Sequence, residues 1–389
     1  LGVGVSLKWN GLGATIGLVK NAYRRRSWLF IQPSIRPMLQ MMANGLGFVF
    51  RRTRFSSSPS VLKIDISPLC SLACPTCLHA EPEGRPLLEA QQFRKSDKMS
   101  VEDFQRIIDQ VRGKVSTVSL FYYGDPLMHP ELPTLARIAR EAGMAVHATT
   151  HFSYRLSDAR IDAIAASGLT HITVAVDGAD QAVYEVTRVR GRLDWVLSNL
   201  KRLAASKARQ GLRYPEVEIQ YIRHGHHRPD EESRVRGLTV DLDVAQFTAF
   251  DGFRYKEDGS LFNVVENDWA STPDFEPKPA AALPHCHWPF TSMVIKHDGG
   301  VIPCCMWGEA RQHMDGADKR ELGNVFETPL AAIWNNPDYR RTRREVSGSS
   351  EIGVNSFCYG CPALGGTGRA KRGESRPVET ITIWRGIIL

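Results

Sequence analysis

The first 64 residues contain no aspartate or glutamate, and the first acidic residue is Asp65. Ten basic residues precede it: Lys8, Lys20, Arg24, Arg25, Arg26, Arg36, Arg51, Arg52, Arg54 and Lys63. The remaining chain holds 39 of the 49 basic residues against all 42 acidic ones, so the body is slightly acidic and the high isoelectric point belongs to the amino-terminal segment. Because the excess charge sits in that segment, the overall isoelectric point gives no ground for expecting nucleic acid as a partner. The chain also lacks any run of about eighteen uncharged apolar residues, which excludes an expected spanning helix. No internal repeat is evident, which excludes a solenoid or propeller.

Residues 1–60 form a basic, apolar amino-terminal extension. It also holds Trp9, Trp28, Leu29, Phe30, Ile31, Met38, Leu39, Met41, Met42, Phe48, Val49 and Phe50. Three readings are open: a helix lying in the interface of an anionic membrane, helices packed on the main domain with arginine on the wet side, or a cleaved targeting segment. A membrane surface is therefore a candidate partner for residues 1–55, on a chain otherwise expected in the cytoplasm or on the inner face of its membrane. The reducing compartment is expected because the eight cysteines are clustered at spacings that suit metal ligation.

After residue 60 strands and helices alternate. "VLKIDIS" (61–67) reads as a strand, and Ser100 with Asp103 marks a helix start before "VEDFQRIIDQV". Strands are expected at 115–123, "MAVHATT", "THITVAV", "EVEIQYI" and near 243–250. Helices are expected at 131–142, 157–167, 180–187 and 193–209. Alternation of this kind implies a parallel sheet covered by helices, either doubly wound or an open barrel. Residues 81–98 read as a polar loop and 251–284 as a linker or insertion. "TSMVIKHDGGVIPCC" then reads as a hairpin turning at Asp298-Gly299-Gly300. A helix is expected from Pro329 with a break at Pro337, and "FCYGCP" closes a small cysteine-bearing unit over 285–389.

Cys70, Cys74 and Cys77 lie within eight residues. A structural zinc site takes four ligands and a redox dithiol takes two. A [4Fe–4S] cubane normally takes one cysteine per iron, so three leave one iron open to a ligand that is not protein. The run CxxxCxxC directly after a first strand, followed by β-α units, resembles the radical S-adenosylmethionine (SAM) superfamily. That resemblance covers about residues 61–250 and implies an α/β fold, a partial (β/α)6 TIM-like barrel. It also implies that the open iron chelates SAM, whose reductive cleavage yields a 5′-deoxyadenosyl radical that abstracts a substrate hydrogen. An electron donor such as flavodoxin or ferredoxin is the implied partner.

"YYGDPLMHPEL" (122–132) resembles the family's glycine-glutamate-proline loop, with Asp125 in place of the usual glutamate and Tyr123 where a glycine often stands. The resemblance implies cofactor contacts from Tyr122, Gly124, Asp125 and Pro126, with Asp125 toward the SAM amino group. Thr150 in "ATTHF" and Arg188 in "VAVDGADQAVYEVTRVRG" complete the implied SAM contacts, Arg188 toward the carboxylate.

Five cysteines remain: Cys286, Cys304, Cys305, Cys358 and Cys361. Their arrangement resembles the auxiliary-cluster domain called SPASM, or its shorter form, twitch, and arithmetic favours the form with one auxiliary [4Fe–4S] cluster. The resemblance implies Cys286, Cys358, Cys361 and one of the adjacent pair Cys304 and Cys305 as ligands, the spacing matching Cys304 and leaving Cys305 a small buried hydrophobe. A zinc ribbon is the alternative for these four, and a non-catalytic zinc-stabilised binding protein the alternative for the whole chain. Among the histidines, "HGHH" (224–227), His147, His151, His285 and His287 are weaker candidates, and the residue that handles the substrate is unknown at this level. A fully ligated auxiliary cluster beside a substrate radical suits net oxidation of a small-molecule, glycoconjugate or lipid-linked substrate. The alternative is oxidative modification of a peptide.

Overall fold

A computed structural model describes residues 35–77, 79, 94, 96–252, 278–281, 283–305, 321–353, 356–359, 361 and 364. The expected structure of residues 1–34, most of the 81–98 loop, most of the 251–284 linker and the end of the chain falls outside the described residues.

One sheet organises the molecule. Its strands are β1 (Val61–Ile64), β2 (Thr117–Ser119), β3 (Ala145–Thr150), β4 (His171–Ala175), β5 (Glu216–Arg223), β6 (Val244–Asp251), β7 (Ser292–Ile295) and β8 (Val301–Ile302). Their order is β6-β5-β4-β3-β2-β1-β7-β8. Every neighbouring pair is parallel except β7 with β8. The fold is an α/β partial barrel: the sheet ends at β6 and β8 rather than closing.

Helices between the strands cover its outer face. They are α2 (Val101–Val111), α3 (Leu132–Glu141), α4 (Asp158–Ala165), α5 (Gln181–Thr187), α6 (Leu193–Gln210) and α7 (Glu231–Thr239). The caps read from sequence form. Ser100 accepts from the Asp103 N–H at 3.0 Å and Ser157 from the Arg160 N–H at 3.2 Å, each satisfying an orphan donor of the first turn. Leu62 and Ile64 on β1, with Ile66 just after it, pack outward with Phe104, Ile107 and Ile108 of α2 in the common core. The intervening Lys63 and Asp65 therefore face the barrel interior, by the two-residue period of a strand.

Two results differ from the sequence reading. The strand expected over 115–123 keeps only Thr117–Ser119 in its ladder, because the chain then leaves β1 toward the Gly124-Asp125 turn. The hairpin also does more than close a small unit. β7 pairs in parallel with β1 over four residues, so the cysteine-bearing segment extends the barrel's own sheet. Three short helices accompany it: α8 (Trp288–Thr291), α9 (Leu330–Ile333) and α10 (Pro337–Val346), the last two separated at Pro337 as its missing N–H demands.

The fully buried Arg343 ties these parts together. Its guanidinium donates to the carbonyls of Pro289, Thr53 and Trp334, each at 2.8 Å, and lies 4.3 Å from the Trp334 ring centroid. Burial lowers its pKa to about 10.

Candidate active site

The Cys70–Cys77 loop leaves the carboxyl end of β1, where a barrel presents its chemistry. Two neighbours hold it. The Ala73 N–H donates to the Val189 carbonyl at 3.2 Å, and the Asp125 N–H donates to the Leu69 carbonyl at 2.8 Å. A Cβ at Gly124 would collide with the carbonyls of Leu69 and Ser67, so only glycine lets the turn lie this close against the loop.

Asp125 is 4% exposed and engaged on both oxygens. Oδ1 accepts from the Leu127 N–H at 2.9 Å, capping a short 3-10 turn with Pro126 at its first position. Oδ2 accepts from the Thr150 hydroxyl at 2.7 Å and the His151 N–H at 2.9 Å. Asp125 thus bolts the β2 turn to the end of β3, and it brings Thr150 with it. His151 belongs to the same group. Its Nδ1 accepts from the Ser153 N–H at 3.0 Å, which leaves Nε2 as the N–H of the neutral ring, 3.3 Å from Asp125 Oδ2 and from Ser71 Oγ. Burial lowers the His151 pKa, partly opposed by Asp125.

Arg188 reaches the loop from the end of α5. Its Nε donates to Asp177 Oδ2 at 2.7 Å and its Nη2 lies 2.5 Å from the same oxygen. Asp177 is 1% exposed, and its Oδ1 accepts from the Ile222 N–H at 2.8 Å. The "HGHH" loop packs behind this pair, and burial lowers His224 and His227 to about 4. Arg188 also lies beside Cys74. Burial raises the Cys74 thiol and Arg188 pulls it back down, while burial and the Asp125 charge both raise Cys70. Cys70 and Cys74 held this way are inert as thiols. They ionise readily only when a cationic centre takes them as ligands, and that is the chemistry of an iron–sulfur site.

The second set converges across the hairpin. Cys358 lies near enough to Cys361, Cys304 and Cys286 for their charges to couple, and Cys286 likewise to Cys361. The Cys358 N–H donates to Ser356 Oγ at 3.0 Å, and that hydroxyl donates to Glu345 Oε2 at 2.7 Å, so α10 anchors the CxxC loop. Cys305 is buried and couples to Lys63. All eight cysteines are free thiols. Among the described residues no three such side chains meet at a point a single ion would occupy.

Lys63, His147, Thr149, Thr173, Glu218 and Thr248 line a cavity of about 200 Å³. His147 bridges Ser119 Oγ at 3.2 Å and Thr173 Oγ1 at 2.9 Å. Glu218 accepts from Gln246 Nε2 at 2.9 Å and from the Thr248 hydroxyl. Lys63 Nζ sits 4.1 Å from the Phe121 ring centroid, and its charge couples to Cys305, Asp65 and Cys304. Tyr122 turns to this side as well, with Lys63 Nζ 5.9 Å from its ring and the Cys304-Cys305 pair near its hydroxyl. Asp65 is fully buried, and neither of its oxygens has a hydrogen bond of normal geometry. Burial raises its pKa to about 7.

Asp65 has a consequence for stability. Its folded pKa lies above its ordinary value of 3.8, so between these values the native state holds a proton that the unfolded chain has lost. Stability therefore falls as pH rises through that window, by up to about 4 kcal/mol at 1.36 kcal/mol per unit. Asp65→Asn has no proton to lose. Thermal unfolding of both proteins across the window is expected to show the wild-type midpoint falling relative to that of the variant as pH rises. Parallel curves would refute the assignment.

Residues 64–211 match the model of the radical SAM superfamily, and residues 286–362 match SPASM, an iron–sulfur cluster-binding domain. The chain is a radical SAM protein with a carboxyl-terminal SPASM domain. Its cofactors are accordingly a [4Fe–4S] cluster with SAM, and auxiliary iron–sulfur in the SPASM region. It is similar to the PqqA peptide cyclase of Xanthomonas euvesicatoria pv. vesicatoria, 24% identical over 335 residues that span 78% of this chain and 80% of that one. It is similar to the GTP 3′,8-cyclase of Chlorobaculum tepidum, 26% identical over 153 residues, 39% of this chain and 43% of that one. The solved structure of Streptococcus suis SuiB bound to S-adenosylmethionine shares the fold, with a TM-score of 0.52, 16% identity, and coverage of 80% of this chain and 70% of that one.

Sequence reasoning named the cysteines, Asp125, Thr150 and Arg188, and singled out neither Asp177 nor Asp65. Asp177 was visible only as part of the "VDG" that ends β4. Asp65 was legible in the alternation of Lys63 and Asp65 with Leu62, Ile64 and Ile66, which puts both charges on the inner face.

Proposed function

We propose that this radical SAM protein oxidises a small polar substrate held inside its barrel. The observation that carries the reading is the cavity inside the barrel, whose apolar wall of Val61, Phe121, Phe250 and Trp288 is set with the titratable Lys63, His147 and Glu218, Lys63 being coupled in turn to Asp65. At about 200 Å³ it is below the usual range for drug-sized ligands and suits a compact molecule, whose polar groups would meet Lys63, His147 and Glu218.

Cys70, Cys74 and Cys77 would hold the catalytic cluster, and Cys286, Cys304, Cys358 and Cys361 the auxiliary one. Gly124, Asp125, Pro126 and Thr150 would form the wall of the SAM cradle, with Arg188 opposite. When bound, these cofactors supply a radical that removes a substrate hydrogen atom and an acceptor for one further electron. What remains of a two-electron oxidation is one proton, from the substrate's O–H or N–H. Asp65 would take it, since a carboxylate poised near neutrality is matched to that task. Lys63 would steady the substrate oxygen and, before the transfer, the Asp65 carboxylate. A low-potential donor such as flavodoxin or ferredoxin would reduce the catalytic site.

A second reading, peptide modification, is favoured by the similarity to a PqqA peptide cyclase along 78% of the chain. The two are separated by 5′-deoxyadenosine formation in the reconstituted, reduced protein. A peptide-free metabolite extract is expected to stimulate it above the uncoupled rate. Asp65→Asn is expected to keep SAM cleavage while slowing product formation about a hundredfold or more, the usual weight of a general base. Stimulation by peptides and not by metabolites would overturn the first reading in favour of the second.

A further inference from the structure

The helix α1 (Ile35–Val49) is amphipathic the wrong way round. At 100° per residue, Ile35, Met38, Leu39, Met42, Leu46 and Val49 fall within a single stripe about 120° wide, and Phe50 continues it. All seven are exposed: Ile35 75%, Met42 62% and Phe50 66% among them. The opposite face, which meets the protein, carries Pro37, Asn44 and Gly47.

Polar bonds fix this orientation. Asn44 Nδ2 donates to the Ser58 carbonyl and to Ser60 Oγ, both at 2.8 Å, and its Oδ1 accepts from Ser57 Oγ at 2.6 Å. Gln40 Nε2 donates to the Ser58 carbonyl at 2.6 Å. At Gly47 the Phe55 ring occupies the space a Cβ would need, so no larger residue fits there. Rolling the helix to bury its apolar stripe would leave the fully buried Asn44 without these partners. The stripe is therefore held outward by the fold, and a contiguous apolar patch of this kind marks an interaction surface.

The charge around it selects the occupant. Arg36 on the helix and Arg52 and Arg54 just after it are exposed, and the whole chain up to Asp65 has ten basic residues and no acidic one. A protein groove would cover the apolar stripe without needing so uniform a positive charge. An anionic bilayer answers both features: acyl chains take the stripe and headgroups take the arginines. Fifteen residues extend about 22 Å at 1.5 Å each, enough to lie along a surface; no described helix is long and apolar enough to cross a membrane. We infer that α1 is a monotopic anchor that docks this protein on an anionic lipid surface. The inference stands apart from the reaction proposed above, since α1 contributes no residue to the cavity or the cysteine sets.

The test is flotation of the full, reconstituted chain with vesicles of phosphatidylcholine alone or mixed with phosphatidylglycerol. The wild type is expected to float with the mixed vesicles and to be released by salt. The variant Leu39→Glu/Met42→Glu/Leu46→Glu is expected to lose about tenfold or more of its partition, because each change puts a charge into the apolar face. The variant Arg36→Gln/Arg52→Gln/Arg54→Gln is expected to lose the preference for phosphatidylglycerol. Unchanged iron content and unfolding midpoint show that both variants are folded, as expected for exposed positions. A wild type that stays in solution with mixed vesicles, or one that binds no better than the triple-glutamate variant, would overturn the proposal. So would a wild-type dimer that the triple-glutamate change converts to monomer, because the stripe would then be an interface between copies.

Discussion

Replacing Cys70, Cys74 and Cys77 together with alanine is expected to abolish SAM cleavage and to lower the iron content from about eight to about four per chain. The physical reason is the division of the cysteines into two sets that share no residue. The first set hangs on β1 and is braced by the Gly124-Asp125 turn and by Val189. The second is braced by β7 with its hairpin and by α10 through Glu345 and Ser356. Loss of one set leaves the supports of the other in place. The measurement is iron, sulfide and zinc per chain after anaerobic purification and reconstitution, with 5′-deoxyadenosine as the activity readout. Cleavage that survives the triple substitution would sink the assignment of the catalytic loop. About four irons with one zinc in the wild type would leave the radical chemistry standing and remove the electron acceptor on which the proposed oxidation rests.

Arg188→Met is expected to destabilise the protein by about 3–5 kcal/mol, the usual result of stripping the partner from a buried charge. Asp177 is 1% exposed, and the Ile222 N–H would be its only remaining hydrogen-bond donor among the bonds described here. Arg188→Met/Asp177→Asn removes the stranded charge and is expected to regain most of the stability. The double variant also separates two roles of the same side chain. If Arg188 serves SAM as well as Asp177, the refolded double variant will bind iron normally yet bind SAM about tenfold or more weakly, as loss of a charge-assisted hydrogen bond predicts. SAM affinity equal to the wild type, measured by equilibrium dialysis, would confine Arg188 to holding Asp177 and bracing Cys74.

Much of this protein is legible residue by residue. Strand and helix periods, the Ser100 and Ser157 caps and the glycine stops at Gly143, Gly168 and Gly211 act within a few residues of themselves. Each of those glycines adopts the positive φ that makes it a stop. The cysteine loop is legible for the same reason, because three thiols on one short turn need no long-range partner to be recognised as a ligand set. The Asp125 turn is legible as a turn, whereas its grip on Thr150 and His151 spans about 25 residues and depends on β2 lying beside β3.

What the sequence alone determined, then, is the alternating β-α core, the two cysteine sets and the acid-free amino-terminal segment. Tertiary structure decided the rest. It joined the SPASM hairpin to the barrel through β7 on β1 and paired Arg188 with Asp177. It also put Lys63 beside Asp65, Cys304 and Cys305, and it turned the apolar face of α1 away from the core. The physical reason is common to all four. A hydrophobic period says that a face is apolar, and a charge says that it needs a partner. Which surface meets which face, and which partner reaches which charge, is set by packing between segments up to nearly 300 residues apart, as when Arg343 closes on the Thr53 carbonyl.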